Sequence, residues 1–471
     1  MFKKLNIKIF ILLISIVIIS GYLLVSSIIG NGKFTNLKLL LNLNYEQRYL
    51  IKKYIFPYKT ISQQQQIISQ QQQTISQQKK NFESIDWFVI ELLVKKSRIE
   101  IVTKENIIKL SNTKILKKYQ LTSGFYSGIN KHFPGSGYVD SHEGNIIVLS
   151  SRGVLAFKRN IEDAEENFQQ IKNNINEFIG ANQFEKNKWF SLKDLHISNN
   201  KVYISYTEEI KENCWNTSII YGDINYENIK FEKLFSPKEC VHSTNNIDNE
   251  FDAHPSGGKI ISFDDNYILL SIGDYRSRHL AQNIKSVNGK IIKVNIDNGN
   301  YEIISMGHRN PQGLYFDEEN NFILETEHGP QGGDEVNLIE VSKINKDKIQ
   351  NYGWAISSAG EHYGGKIERN KTKYEKYPLY NSHAKHGFIE PLKSFVPSIG
   401  ISEIVKISQN KYVVSSLKDK SLYFFELNEQ KQIINLDRVE VFERVRDLRF
   451  INNQLILFME DTASIGVIKL N

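Results

Sequence analysis

An all-β, six-bladed β-propeller, preceded by an N-terminal transmembrane helix and a helical stalk, is the architecture this sequence predicts. Two observations carry the propeller. One pattern recurs six times: a half-apolar strand, a tight polar turn, then a strongly apolar strand ending in polar groups. The copies are GYVDSHEGNIIVLSSRG from Gly137, KDLHISNNKVYISYTE from Lys193, GKIISFDDNYILLSIGD from Gly258, QGLYFDEENNFILETEHG from Gln312, SEIVKISQNKYVVSSLKD from Ser402 and RDLRFINNQLILFMED from Arg446. Each is a β-hairpin signal, with β-branched and aromatic runs flanking a turn rich in Asn, Asp and Gly. The starts lie 56, 65, 54, 90 and 44 residues apart, a spacing that suits one four-stranded blade per copy. A β-sandwich with similar hairpins is the competing architecture, and the repeat favours the propeller.

The third observation concerns what precedes the repeats. Ile9 through Ile29 is 21 residues without a charge, behind Lys3, Lys4 and Lys8. About 20 apolar residues span a bilayer as a helix, with the positive side cytoplasmic. A cleaved signal peptide is the alternative, but its apolar core runs about 7–15 residues and ends at small residues; this run is longer and closes VSSIIG. The expectation is an uncleaved signal anchor over residues 1–32, single-pass in the inner membrane, with the rest of the chain periplasmic or extracellular. Residues 33–111 form the expected stalk. Ile61, Ile68, Ile75, Phe82 and Val89 recur at a period of seven, a coiled-coil signature through which copies of the chain could associate. Gln occupies most of the second seam, so a Gln-rich spacer is the other reading. The propeller is expected over residues 112–471.

Composition narrows the function classes. A chain of 471 residues with 40% hydrophobic content can bury a large core. The net charge of +6 is scattered, and no basic run interleaved with aromatics points to nucleic acid. Cys214 and Cys240 lie 26 residues apart. In an oxidising compartment such a pair is expected to form a disulfide, with two buried thiols as the alternative. Neither the Cys-x-x-Cys nor the companion His spacing of a metal site is present.

The repeat also locates candidate chemistry. The residue entering the first strand of a hairpin and the residue leaving the second lie at the same open end. His254, Arg309, Arg444 and Arg446 enter hairpins, while Asp274, Gly329 and Lys418 leave them. All seven therefore fall on one rim of the disc, around the mouth of its channel. Arg309, Lys418, Arg444 and Arg446 would repel one another unless an anion neutralises them, and Arg suits bidentate carboxylate binding. The alternative is that each Arg caps a blade through backbone carbonyls or a local Asp or Glu.

From Ser305 the chain reads SMGHRNPQGLYFDEENNFILETEHGPQGGDEVNLIEV, followed by NYGW at Asn351; HPSGG precedes the third hairpin, SLK follows the fifth and RVRD opens the sixth. Over Gly137 to the C-terminus this resembles the glucose/sorbosone dehydrogenase family, which includes soluble aldose dehydrogenases using pyrroloquinoline quinone (PQQ). The resemblance implies a PQQ- and Ca²⁺-dependent sugar dehydrogenase, which the anchor expected from the apolar run, outside the resemblance, would attach to the membrane. Its expected partners are a small sugar, an electron acceptor and the membrane. Three carboxylates and two quinone oxygens on PQQ would satisfy Arg309, Asn310, Lys418, Arg444 and Arg446. The carbonyls of Gly329 and Pro330 would hold a Ca²⁺ that also meets PQQ; a plain Gly-Pro turn is the other reading. Glu335 and Tyr352 match residues of a second, structural calcium site. His254 is the implied general base, taking the anomeric proton while hydride passes from C1 to the quinone C5. Arg309 would stabilise charge at the C5 oxygen. His308 and His328 read as supporting residues, and Asp274 either orients substrate or caps its turn. A non-catalytic propeller binding a protein or glycan is the leading alternative. A calcium-dependent lactonase-type hydrolase would instead need carboxylates and amides around an axial metal.

Overall fold

The computed structural model describes residues 136–470 apart from 164, 165, 188 and 346, together with residues 20–21, 69–72, 100–101, 104–111 and 114–121. The chain divides into two units, Met1–Glu83 and Ser84–Asn471. In the first, the described residues 20–21 and 69–72 are helical. Most of the expected anchor and of the heptad stretch lies outside the described residues. Among those described, no helix is long and apolar enough to cross a membrane.

In the second unit, each hairpin repeat supplies the two inner strands of one sheet, and the six sheets are the blades of a propeller. The innermost strands are Gly137–His142, Leu192–Ser198, Gly257–Asp264, Pro311–Asp317, Ile401–Ser408 and Val445–Ile451. Each is a neighbour of the next, and the last of the first, so together they wall a central channel. The ring closes by pairing the two ends of the domain: Ile115–Gln120 adds antiparallel to the C-terminal strand Ser464–Lys469.

The stalk boundary is corrected here. Glu100–Ile101 pairs with the first blade, and Lys104–Lys109 forms a hairpin with Ile115–Gln120 in the sixth. These residues lie within the stretch expected to be helical. Their ladder pairing makes them strand, and the heptad period ends before them, at Val89.

Local chemistry explains the hairpins. Glu143 and Gly144, Asn199 and Asn200, and Asn452 and Asn453 all have positive φ at the tight turns of the first, second and sixth copies. That is the geometry in which Asn and Gly are favoured between twisted strands. The strand faces then bury their β-branched and aromatic residues between blades. One buried cluster joins the sixth and first blades through Val139, Val148, Ile456 and Phe458. Comparable clusters fill the other five inter-blade wedges. Each fully buried Val, Leu or Ile contributes about 1.5–3 kcal/mol, so blade-on-blade packing is what fixes the rim residues in space. Cys214 and Cys240 are disulfide-bonded within the second blade, with Cα atoms 5.3 Å apart.

Candidate active site

The seven rim residues read from the repeat do share one end of the propeller. His254 immediately precedes the third inner strand, Arg309 and Asn310 the fourth, and Arg444 and Arg446 flank the start of the sixth. Asp274, Gly329 and Lys418 follow the second strands of the third, fourth and fifth blades. Below the rim runs a small cavity of about 30 Å³, room for a water or two, whose walls include His254, Trp189, Lys193, Gln312 and Arg446.

The cationic side is built by the fourth, fifth and sixth blades. Buried Glu327 accepts the backbone N–H of Arg309 at 2.5 Å and that of Asn310 at 3.4 Å, which pins this pair. The Arg309 guanidinium donates to the His328 carbonyl at 2.8 Å and lies over the Trp354 ring, 5.5 Å from its centre. Trp354 is itself held by a 2.7 Å bond from its indole N–H to Asp274, whose other oxygen accepts the Arg276 N–H at 2.8 Å. Asp274 thus caps its turn and supports the platform under Arg309; only 1% of it is exposed. Arg444 and Arg446 share one carboxylate, buried Glu460, at 2.8 and 3.0 Å, and Arg446 also donates to Gln312 at 3.1 Å. The local-acid alternative is therefore met in part, by an acid that the two guanidiniums share. Lys418 is exposed, and no ion pair of Arg309 or Lys418 occurs among the described residues.

His254 faces them from the third blade. Its backbone N–H donates to Asp252 at 2.9 Å, and its ring is wedged 4.5 Å from the Trp189 ring and 6.0 Å from that of His328. Burial holds the imidazole pKa well below its ordinary value, reinforced by His328, Arg309, Arg446 and Lys193. A neutral imidazole is a proton acceptor.

Two further features concern metals. The carbonyls of Gly329 and Pro330 accept no hydrogen bond among the described residues. The Gly329–Gly333 loop turns back so tightly that a Cβ at Gly329 would lie 2.0 Å from the Gly333 oxygen. Asp334 fixes that turn, accepting the Gly329 N–H at 3.2 Å and the Ile401 N–H at 3.0 Å. Behind the rim, Glu335 lies in a buried acidic cluster: the Asn337 amide donates to Glu325, Glu327 and Glu335 at 3.0, 3.2 and 3.5 Å. Ligand atoms of His308, Glu325 and Glu327 lie within 4.8 Å of one another. One oxygen of Glu325 and the Asn337 oxygen are buried without a partner. Burial, with Glu327 close by, pushes the carboxyls of Glu325 and Glu335 well up. Tyr352 borders the cluster by its ring, stacked 4.9 Å from His308, while its hydroxyl donates to the Leu338 carbonyl at 2.6 Å.

A family model described as Glucose / Sorbosone dehydrogenase matches residues 139–469. The chain belongs to this family. It is similar to the aldose sugar dehydrogenase YliI of Escherichia coli K12, 24% identical over 299 residues that cover 58% of this chain and 73% of that protein. It is also similar to an uncharacterized Synechocystis protein, 29% identical over 224 residues, which are 41% of this chain and 50% of that one; the chain thus spans half the length of this relative. A solved structure, the PQQ-bound form of aldose sugar dehydrogenase from Streptomyces coelicolor, shares the fold with a TM-score of 0.53 and 17% identity, covering 75% of this chain and 98% of that one. In this member of the glucose/sorbosone dehydrogenase family, sequence reasoning missed Trp189, Lys193, Gln312, Glu327 and Glu460. Lys193, Gln312 and Glu460 carried a usable signal, since each opens or closes a hairpin copy as the recognised residues do. Glu327 ends the second strand of the fourth copy and carried the same signal; Trp189 reaches the site through packing, which no repeat announces.

Proposed function

We propose that this chain is a PQQ- and calcium-dependent sugar dehydrogenase that oxidises the anomeric carbon of an aldose. One observation carries the reading: a neutral histidine faces a rim whose cations outnumber their acids. PQQ fits that rim. Its carboxylates and quinone oxygens would meet Arg309, Lys418, Arg444 and Arg446, and the buried Asn310 amide N–H, which lacks a partner, is a ready donor. The free carbonyls of Gly329 and Pro330 suit a Ca²⁺, which takes oxygen ligands. The cluster around Glu335, with its orphaned oxygens, suits a second Ca²⁺, to which Tyr352 would contribute through the backbone. When bound, PQQ supplies the quinone that accepts hydride.

The chain's own residues do the rest. His254 takes the anomeric proton. Arg309, held by Glu327 and Trp354, faces the charge that develops as hydride leaves the sugar. The apolar run Ile9–Ile29 would anchor the enzyme in the inner membrane with the propeller outside the cytoplasm, and the Gln-rich heptads would pair copies. The Lys-flanked run and the heptad period support these two points.

Titration of PQQ into the protein with Ca²⁺ present, followed by dye-coupled turnover on a panel of aldoses, tests the reading. His254→Gln should bind PQQ nearly as the parent does and lose about 10²–10⁴-fold in turnover. Absence of PQQ binding by the parent protein would refute the proposal.

A further inference from the structure

Lys193 stands at the start of the second inner strand, across the channel mouth from the arginines. Its Nζ donates to the Trp189 carbonyl at 2.8 Å and reaches the Ala253 carbonyl at 3.5 Å. Those two residues flank His254: the Trp189 ring packs on the imidazole and Ala253 precedes it in the chain. Room for the lysine stem is provided by Gly258 at φ +119°, where a Cβ would lie 2.3 Å from the Lys193 Cβ. No carboxylate pairs with this ammonium among the described residues. Asp252, whose charge acts on it, is engaged by the Arg276 guanidinium at 2.9 Å. Burial, with Arg446 and Arg152 adding to it, lowers the ammonium pKa to about 7.

As a purely structural element this is a poor choice. A half-buried ammonium held by two carbonyls beside other cations costs desolvation and repulsion that a Leu or Met would avoid. An anion at the cavity would remove both costs through a charge-assisted bond. The groups assigned to PQQ come from the fourth, fifth and sixth blades, whereas Lys193 comes from the second, on the His254 side. A pyranose presenting its anomeric hydroxyl to His254 carries its C5 substituent on the far side of the ring oxygen, so a carboxylate there can turn to this wall.

We propose that Lys193 is a carboxylate receptor in the substrate half of the pocket, and that the sugars oxidised are acidic aldoses of the uronate type. The proposal rests on the dehydrogenase reading above. It is tested by kcat/KM for glucuronate and galacturonate against glucose and galactose, in the parent, Lys193→Met and Lys193→Arg. PQQ titrations of all three proteins, and titration of glucuronate into the apoprotein, accompany the kinetics. The parent should favour the uronates, and Lys193→Met should cut that preference about tenfold to a hundredfold, the worth of one charge-assisted contact. Lys193→Arg should restore part of it. Glucuronate should bind the parent apoprotein more tightly than the Met variant. A parent that favours neutral aldoses, or an unchanged preference in Lys193→Met, overturns the proposal. So does a Met variant whose main loss is PQQ affinity, which would make Lys193 a cofactor contact. If the parent oxidises no sugar yet its apoprotein binds glucuronate through Lys193, the dehydrogenase reading fails and the receptor stands.

Discussion

Lys259 at the waist of the channel and Arg446 at its rim are both cations set beside carboxylates, but their surroundings differ. Lys259 bridges three acids from three blades: Asp194 at 3.1 Å, Asp447 at 3.5 Å, and Glu403 in a short contact. Arg449 joins the same group through Asp447 at 2.7 Å and Glu403 at 3.4 Å. The acids in turn clamp neighbouring inner strands. Asp140 accepts the Ile197 N–H at 2.8 Å, Asp194 that of Ile260 at 2.7 Å, and Asp447 that of Val139 at 2.8 Å. Each of these acids thus finds a cation or a backbone N–H within the protein, and the network ties blade to blade. At the rim, Arg444 and Arg446 share Glu460, while among the described residues Arg309, Lys418 and Lys193 make no ion pair. A buried cluster whose members all pair with one another is part of the scaffold; a rim of cations that lack acid partners is a candidate binding surface.

The largest expected effect follows from breaking the waist. Lys259→Met leaves Asp194, Glu403 and Asp447 buried with only Arg449 to neutralise them. Removing one partner from such a network costs about 3–5 kcal/mol, so denaturant unfolding should show a loss of that size. A change below about 1 kcal/mol, the range of an ordinary surface substitution, would mean that the waist does not hold the blades.

Arg446→Met should give the opposite profile. Glu460 keeps Arg444, so the loss in stability should stay well below that of Lys259→Met. PQQ affinity should fall roughly tenfold or more, since a charge-assisted contact contributes about 1.5–3 kcal/mol. Calorimetric titration beside unfolding curves measures both. If Arg446→Met destabilises as strongly as Lys259→Met while binding PQQ unchanged, the distinction between the two levels collapses.

The rim was legible in the sequence and the waist was not, although both arise from the same repeat. Hairpin ends are marked by turns and by the change from apolar to polar residues, so His254, Arg309, Lys418 and Arg446 could be placed on one rim by counting strands. The waist residues Asp140, Asp194, Lys259, Glu403 and Asp447 also recur, one early in each of five inner strands. Their partners lie on other blades, however, as with Lys259 and Asp447, 188 residues apart. Register irregularities in most inner strands shift these side chains further, as between Leu192 and Asp194 and between Val445 and Asp447. Strand counting assumes an unbroken alternation and cannot anticipate them. The last residues before the propeller were misassigned for a related reason: the Lys104–Lys109 strand is stabilised by its hairpin partner and by the C-terminal blade, not by any pattern within itself.

The subtlest consequence of the contrast is electrostatic and concerns His254. Its desolvation and the unanswered positive charge around it act in the same direction, both disfavouring the imidazolium. The facing groups are Lys193 from the second blade, Arg309 and His328 from the fourth and Arg446 from the sixth; Asp252, on its own segment, is bound to Arg276. In the folded apoprotein the imidazole should therefore titrate below about 6.5, the ordinary histidine value. The unfolded chain takes up this proton near 6.5 while the folded one does not, so His254 removes stability as pH falls from there toward its folded pKa. Arg446→Met takes away one cation and should move the midpoint upward, toward 6.5. Histidine Cε1–H NMR titrations of the apoprotein and of Arg446→Met read this directly, with His254→Gln identifying the resonance. The apoprotein is the proper sample, because the carboxylates of PQQ would offset the same cations and raise the value. A parent midpoint at or above 6.5 would mean that the rim holds no net positive field at His254. The neutral-base assignment and the contrast between rim and waist would then fail together.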